Sequence, residues 1–188
     1  MIKTATLADT LAPNLDIVSI GLNPSLYSVE HGYYFARPQN RFWPAFNASG
    51  LTPAPLVPGR AAMKELLAAH RIGFTDVVKR PSRGAHDLKA ADFAEWAPVL
   101  KRKLLRQPPR IAWFHGKLAW EHYLRHAEGA RRKTAFGLQP EQIGGALVYV
   151  TPNPSPANAA FSLAVLTDWY RKLAALRDAS RANKKQRR

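Results

Sequence analysis

Four short apolar runs set the limits on this chain: residues 17–20, 74–78, 111–114 and 146–150. Each is too short for a helix face and is bounded by turn residues, the pattern of a buried strand. Between and after them, apolar residues recur at helical spacing. Residues 60–70 carry Met63, Leu66 and Leu67, and 89–106 carry Phe93, Trp96, Ala97, Leu100 and Leu104. Ala119 and Tyr123 mark 117–126, and Leu166, Trp169, Tyr170, Leu173 and Leu176 mark 162–177. Parallel strands need long crossovers, so strands alternating with helices give a mainly parallel sheet covered on both faces. The expected fold is α/β: a three-layer α/β/α arrangement around a short, mainly parallel, four-stranded sheet.

The remaining segments fill in around that frame. Residues 1–14 read as a lead-in, partly helical over 4–11. Residues 38–49 read as a short helix entered at Pro38, with Phe42 and Phe46 on one face. Three prolines make 52–59 a loop, and Lys79, Arg80, Pro81, Arg83 and Gly84 make 79–84 a basic turn. Pro98 is expected to kink the 89–106 helix or divide it in two. Residues 129–140 read as a basic loop, and Ser162 as the cap of the last helix. No boundary divides the body, so the expected organisation is one domain over 1–179 and a basic, disordered tail over 180–188.

Charge points to the partner. The chain has 28 Lys and Arg against 13 Asp and Glu, a net charge of +15, and only five of the bases lie in 180–188. Such an excess fits a polyanion, because each neutralised phosphate releases counterions. A nucleic acid is therefore the expected partner. No Cys is present, which excludes disulfides and thiolate metal ligands and suits a reducing compartment. His and carboxylates show no metal-ligand spacing, so no metal and no cofactor are expected. No run approaches the ~18 apolar residues of a membrane span, and no leader pattern opens the chain. A cytoplasmic monomer of bacterial type, nucleoid-associated when on DNA, is the expectation. A nucleotide-binding enzyme is disfavoured, since Gly-x-Gly-x-x-Gly and phosphate-loop motifs are both missing.

Two of the strands run into the same corner: Asn23-Pro24-Ser25 after the first, Asn153-Pro154-Ser155 after the last. In a parallel sheet both corners lie on one edge, where ligands of open α/β sheets bind. Their residues alone allow two readings, a pair of turns that satisfy loop backbone or the two walls of a site. An aromatic and basic loop with Tyr33, Tyr34, Phe35 and Arg37 follows the first corner. His31 beside it and His115 at the third strand end are weaker site candidates.

The stretch Gly21-Leu22-Asn23-Pro24-Ser25, followed by Phe35-Ala36-Arg37-Pro38-Gln39-Asn40-Arg41-Phe42-Trp43, resembles the first motif of the mismatch-specific uracil/thymine DNA glycosylases. That family has Gly-Ile-Asn-Pro-Gly, then Phe-Ala-His-Pro-Ala-Asn-Arg-Phe-Trp at similar spacing. Residues 73–81, His115-Gly116-Lys117 and Thr151-Pro152-Asn153-Pro154-Ser155 are similar to its later segments, in order, over roughly 15–176. The resemblance implies a uracil-DNA-glycosylase fold and hydrolysis of the N-glycosidic bond of a flipped base, leaving an abasic site. On it, Asn23 and Asn153 are the catalytic candidates: Asn23 holds the attacking water, and Asn153 meets the nucleotide from the opposite wall. Leu22, Pro24, Ser25, Phe35 and Ser155 are the substrate-binding candidates, with Phe35 stacking on the base and main-chain N–H groups near Leu22 and Phe35 meeting its carbonyls. Arg83, Ala157 and Asn158 are the DNA-contact candidates, and Arg41 a further one. No Lys is required as a nucleophile, so the expected enzyme is monofunctional.

The chain departs from that family at two places. Ser25 stands where the family has a second Gly and where narrower uracil-specific glycosylases place a Tyr that blocks the C5 methyl. Pro156-Ala157-Asn158-Ala159 stands in place of Gly-Leu-Ser-Arg, whose Leu wedges into the gap left by the base. Phe161 or the 82–88 loop are the candidate substitutes, and unpaired or single-stranded uracil is a plausible substrate. The competing expectation is a non-catalytic nucleic-acid-binding domain of the same fold.

Overall fold

The computed structural model describes residues 5–186, with side chains described through 182. Five strands form one sheet in the order β2-β1-β3-β5-β4. They are β1 (Ile17–Gly21), β2 (Ile72–Asp76), β3 (Ile111–His115), β4 (Gly137–Ile143) and β5 (Ala146–Thr151). The first, second, third and fifth run parallel, and β4 pairs antiparallel to β5. Helices α1 (Leu26–His31), α2 (Phe42–Asn47) and α3 (Arg60–Ala68) fall between β1 and β2. Helix α4 (Ala90–Arg106) follows β2, α5 (Lys117–Ala127) follows β3, and α6 (Leu163–Gln186) follows β5.

Alternation along the strands makes two cores. Ile17, Ile72, Phe74, Ile111, Trp113 and Tyr149 face one side, packing on Phe42, Trp43 and Phe46 of α2, Leu66 of α3, and Tyr170 and Leu173 of α6. Val18, Ile20, Ala112, Phe114, Val148 and Val150 face the other, against Phe93, Ala97, Leu100 and Leu104 of α4 and Trp120, Tyr123 and Leu124 of α5. Each such large side chain stabilises the fold by about 1.5–3 kcal/mol when fully buried. Crossovers leave β1 toward β2 on one side and return to β3 on the other. The C-terminal ends of β1, β3 and β5 therefore share the edge where the winding reverses.

Several expectations change. The sheet has five strands rather than four, because 137–143 is an edge strand and not a loop. Its polar Gln139 is buried while Leu138 is 54 % exposed, so the first half of the strand reverses the usual apolar-in pattern. Gln139 Nε2 satisfies itself on the carbonyls of Ala135 and Gly137. Pro140 is tolerated because β4 is at the sheet edge. Residues 5–14 are not helical, and 1–4 lie outside the described residues; Thr10 pairs with Phe74 in an antiparallel bridge. The segment 38–49 narrows to α2, and α1 adds a helix where a loop was expected. Helix α4 is continuous through Pro98, held by its buried face.

The tail expected from residue 180 is helical to Gln186, and only 187–188 of it lie outside the described residues. Asp16, fully buried, is the reason for the extension. Its carboxylate meets Arg110 at 2.8 Å, Arg71 at 3.3 Å and Arg181 at 2.6 Å, the last from α6. Arg110 also donates to the Ser180 carbonyl at 3.0 Å. Arg181→Ala is expected to lower unfolding stability by about 1 kcal/mol at low salt, since Asp16 keeps two partners. Urea unfolding checks this, and amide exchange should show the last turns of α6 opening first.

Candidate active site

The shared edge of the sheet holds a cavity of about 160 Å³. A ~150 Å³ cavity accepts benzene, so this one has room for a single ring. Leu22, Asn23, Pro24, Ser25, Phe35, Arg83, Asn153 and Ser155 all line it, so both corners face one space. Ala157 and Asn158 do not line it. They lie in the following loop, where Asn158 Nδ2 donates to the Asn153 carbonyl at 3.0 Å.

The two asparagines are held differently. Asn23 Nδ2 donates to the carbonyl of Arg80 at 3.0 Å, to Pro24 O at 3.2 Å and to Ser82 Oγ at 2.8 Å. Carbonyls only accept, and the Ser82 hydroxyl donates onward to Gly84 O at 2.8 Å, so the amide can be oriented in one way only. Asn23 Oδ1 accepts no hydrogen bond among the described residues, leaving an acceptor fixed in position. Asn153 is reversed: its Oδ1 accepts from the Ser155 N–H at 2.9 Å, an Asx turn that leaves Nδ2 as the open donor. Gly116, at φ 96°, lets the third strand end pass close by, because a Cβ there would lie 3.2 Å from the Asn153 Cβ.

Phe35 supplies an aromatic wall. One face stacks on Phe42 at 4.1 Å and 12°, and the edge of the ring meets His115 at 4.9 Å. Its backbone is left-handed at φ 57°, which costs about 1–2 kcal/mol for a residue with a side chain. The turn is held by Ser28, whose Oγ accepts from Ala36 N–H at 3.3 Å and from Ser25 Oγ at 3.0 Å. Ser25 Oγ in turn accepts from Ser28 N–H and caps α1. Burial pushes the His115 imidazole down to about 3, so it is neutral, and its Nε2 lies 2.8 Å from Ser19 Oγ.

Arg41 is held by main-chain carbonyls. Its guanidinium donates to the carbonyls of Phe161, Ser155 (2.7 Å) and Asn158 (2.8 Å), clamping the loop after the second corner. Phe161 packs edge-on to Phe136 at 5.3 Å. His31 stacks on Tyr27 and does not line the cavity.

Several lining residues were not among the named candidates, Ser28, Asn40 and Asp76 among them. Ser28 was hidden in the unrecognised α1. Asn40 sits inside the Asn-Arg-Phe-Trp stretch and accepts from Phe42 N–H at 2.9 Å. Asp76 pairs in register with Gly21, so its place at the end of β2 was the available signal. A Cβ on Gly21 would lie 2.5 Å from Asp76 Oδ1, so only glycine leaves room for that carboxylate.

Residues 8–176 match the family model of the Uracil DNA glycosylase superfamily. Among solved structures, the chain is similar to the solution NMR structure of a protein from Methanosarcina acetivorans that carries the provisional name uracil DNA glycosylase. Identity is 25% and the TM-score 0.58, over 89% of this chain and 96% of that one. The family match spans both asparagine corners, the basic turn between them and the first half of α6, and with it this chain belongs to the Uracil DNA glycosylase superfamily.

Proposed function

We propose that this protein is a monofunctional DNA glycosylase that hydrolyses the N-glycosidic bond of a flipped-out uracil. The observation that carries the reading is the pair of asparagines on one ring-sized cavity, Asn23 with an open acceptor and Asn153 with an open donor. In the reaction, Asn23 Oδ1 holds the water that attacks C1′. An amide is no base, so its contribution is position. Phe35 presents a ring face to the base. The Phe35 N–H has no acceptor among the described residues and can meet a uracil carbonyl, stabilising the charge that collects on the leaving base. Asn153 Nδ2 and Ser155 face the nucleotide from the other wall, and the exposed Arg83 at the rim suits a phosphate.

Two features set the substrate range. Ser25 is small, and its hydroxyl is turned into the α1 cap, so nothing bulky at position 25 meets C5 of a pyrimidine. Excision of 5-hydroxymethyluracil within about tenfold of uracil is expected, and a failure on every 5-substituted analogue would reject this selectivity. The loop at 156–159 offers no apolar wedge, so unstacking is not offset there. Unpaired and single-stranded uracil are accordingly the preferred contexts. The test of the whole reading is incubation with oligonucleotides carrying uracil in single strands, U·A and U·G, followed by alkali. Scission at uracil in the single strand, strongest there, is the expected result. No scission in any context would overturn it.

A further inference from the structure

A buried carboxylate stands in this cavity that the reaction above does not use. Asp76 lines it, with 3 % of its side chain accessible. Strand register sets it beside Gly21, two residues before Asn23, and its Oδ1 lies directly over Gly21. Oδ2 is 3.4 Å from Lys79 Nζ, while Oδ1 accepts from no side chain among the described residues.

The geometry points to Asp76 as a catalytic residue, the general base for the water that Asn23 holds. This deepens the glycosylase reading and rests on it. The step balances with nothing added. The C1′–N1 bond breaks, its electron pair leaving on uracil; the water oxygen bonds C1′, and the water proton passes to the Asp76 carboxylate. That proton then goes to the uracil anion or to solvent. The products are uracil and an abasic site. The division of labour matches what each group can do, since an amide positions and a carboxylate takes a proton.

The surroundings keep the carboxylate basic. Burial raises its pKa to about 6, helped by the Asp9 charge and against the opposing pull of Lys79 and of the Tyr34 hydroxyl. Lys79 is itself shared. Its Nζ donates to Asp9 Oδ1 at 2.8 Å and to the Tyr34 hydroxyl at 3.2 Å, and Asp9 Oδ2 takes a second lysine, Lys103 of α4, at 2.6 Å. Asp9 feels burial, which raises its pKa, but the two lysines outweigh it and hold the carboxyl ionised. Lys79 is therefore largely neutralised by Asp9. Of the other titratable groups on the cavity wall, His115 is neutral, Tyr34 keeps its proton because burial raises its pKa, and Arg83 is exposed at the rim.

A base of this kind works only when deprotonated. Single-turnover excision at saturating wild-type enzyme should therefore rise between pH 5 and pH 7, with a midpoint near 6. The nearly isosteric Asp76→Asn should slow excision more than tenfold at pH 7.5 and flatten that rise. Its melting temperature and its affinity for uracil-containing single strands should stay close to wild type. A purely structural Asp76–Lys79 pair would leave the pH profile in place. Wild-type rates flat from pH 5 to 7, or Asp76→Asn running at full rate with an unchanged profile, would overturn the assignment while leaving the glycosylase reading standing. A wild-type protein that excises no uracil would overturn both.

Discussion

Asn23→Ala is expected to slow uracil release roughly 10²- to 10³-fold under single-turnover conditions, the usual cost of removing one preorganised polar group from a reaction centre. The size follows from how firmly the amide is held. Three oxygens, those of Arg80, Pro24 and Ser82, receive its Nδ2, so Oδ1 costs nothing to orient when the water arrives. Binding to uracil-containing DNA should change little, because the contact is made to water and not to the base. Asn23→Asp should not restore the rate. It turns a carboxylate oxygen toward two main-chain carbonyls that only accept, and the Ser82 hydroxyl could donate to it only by giving up Gly84 O. Rates at saturating enzyme, with circular dichroism to verify the fold, check both variants.

Phe35→Ala is expected to weaken affinity for uracil-containing single strands about tenfold or more. Base–aromatic stacking is worth roughly 1–3 kcal/mol. The ring is already pinned on Phe42 at 4.1 Å, so little freedom is lost when a base arrives on its other face. DNA without uracil should bind nearly as before. Phe35→Gly separates ring from backbone. Both variants lose the stacking surface, but glycine accepts φ 57° without strain, so it should unfold at higher denaturant than the alanine variant by an amount near 1 kcal/mol. Fluorescence anisotropy of labelled oligonucleotides measures the first effect, and urea unfolding the second.

What could be read from the residues depended on whether local chemistry agreed with the packing. Strands β1, β3 and β5 are apolar runs ending in turns, and both asparagine corners could be placed at one edge from that alone. Phe35 followed from the motif around it. Strand β4 could not be read, because Leu138 points out and Gln139 in, the reverse of the usual alternation. Helix α1 is six residues long, too short for a period, and only the Ser25 cap gives it away. Asp76 lies within the 74–78 run and carries no signal of its own in the sequence. Its meaning came from register with Gly21, a contact between residues 55 positions apart. Arg41 is a DNA-contact candidate by resemblance, and only the fold brings in the three carbonyls that make it a clamp for the 155–161 loop.

The most direct test of the two-corner site is a crystal structure of Asn23→Ala bound to a single strand carrying one deoxyuridine. The account predicts the uracil out of the strand and flat on Phe35, with Asn153 Nδ2 within hydrogen-bond distance of the nucleotide. Uracil lodged elsewhere, with Phe35 and Asn153 untouched while the wild-type protein still excises it, would contradict it.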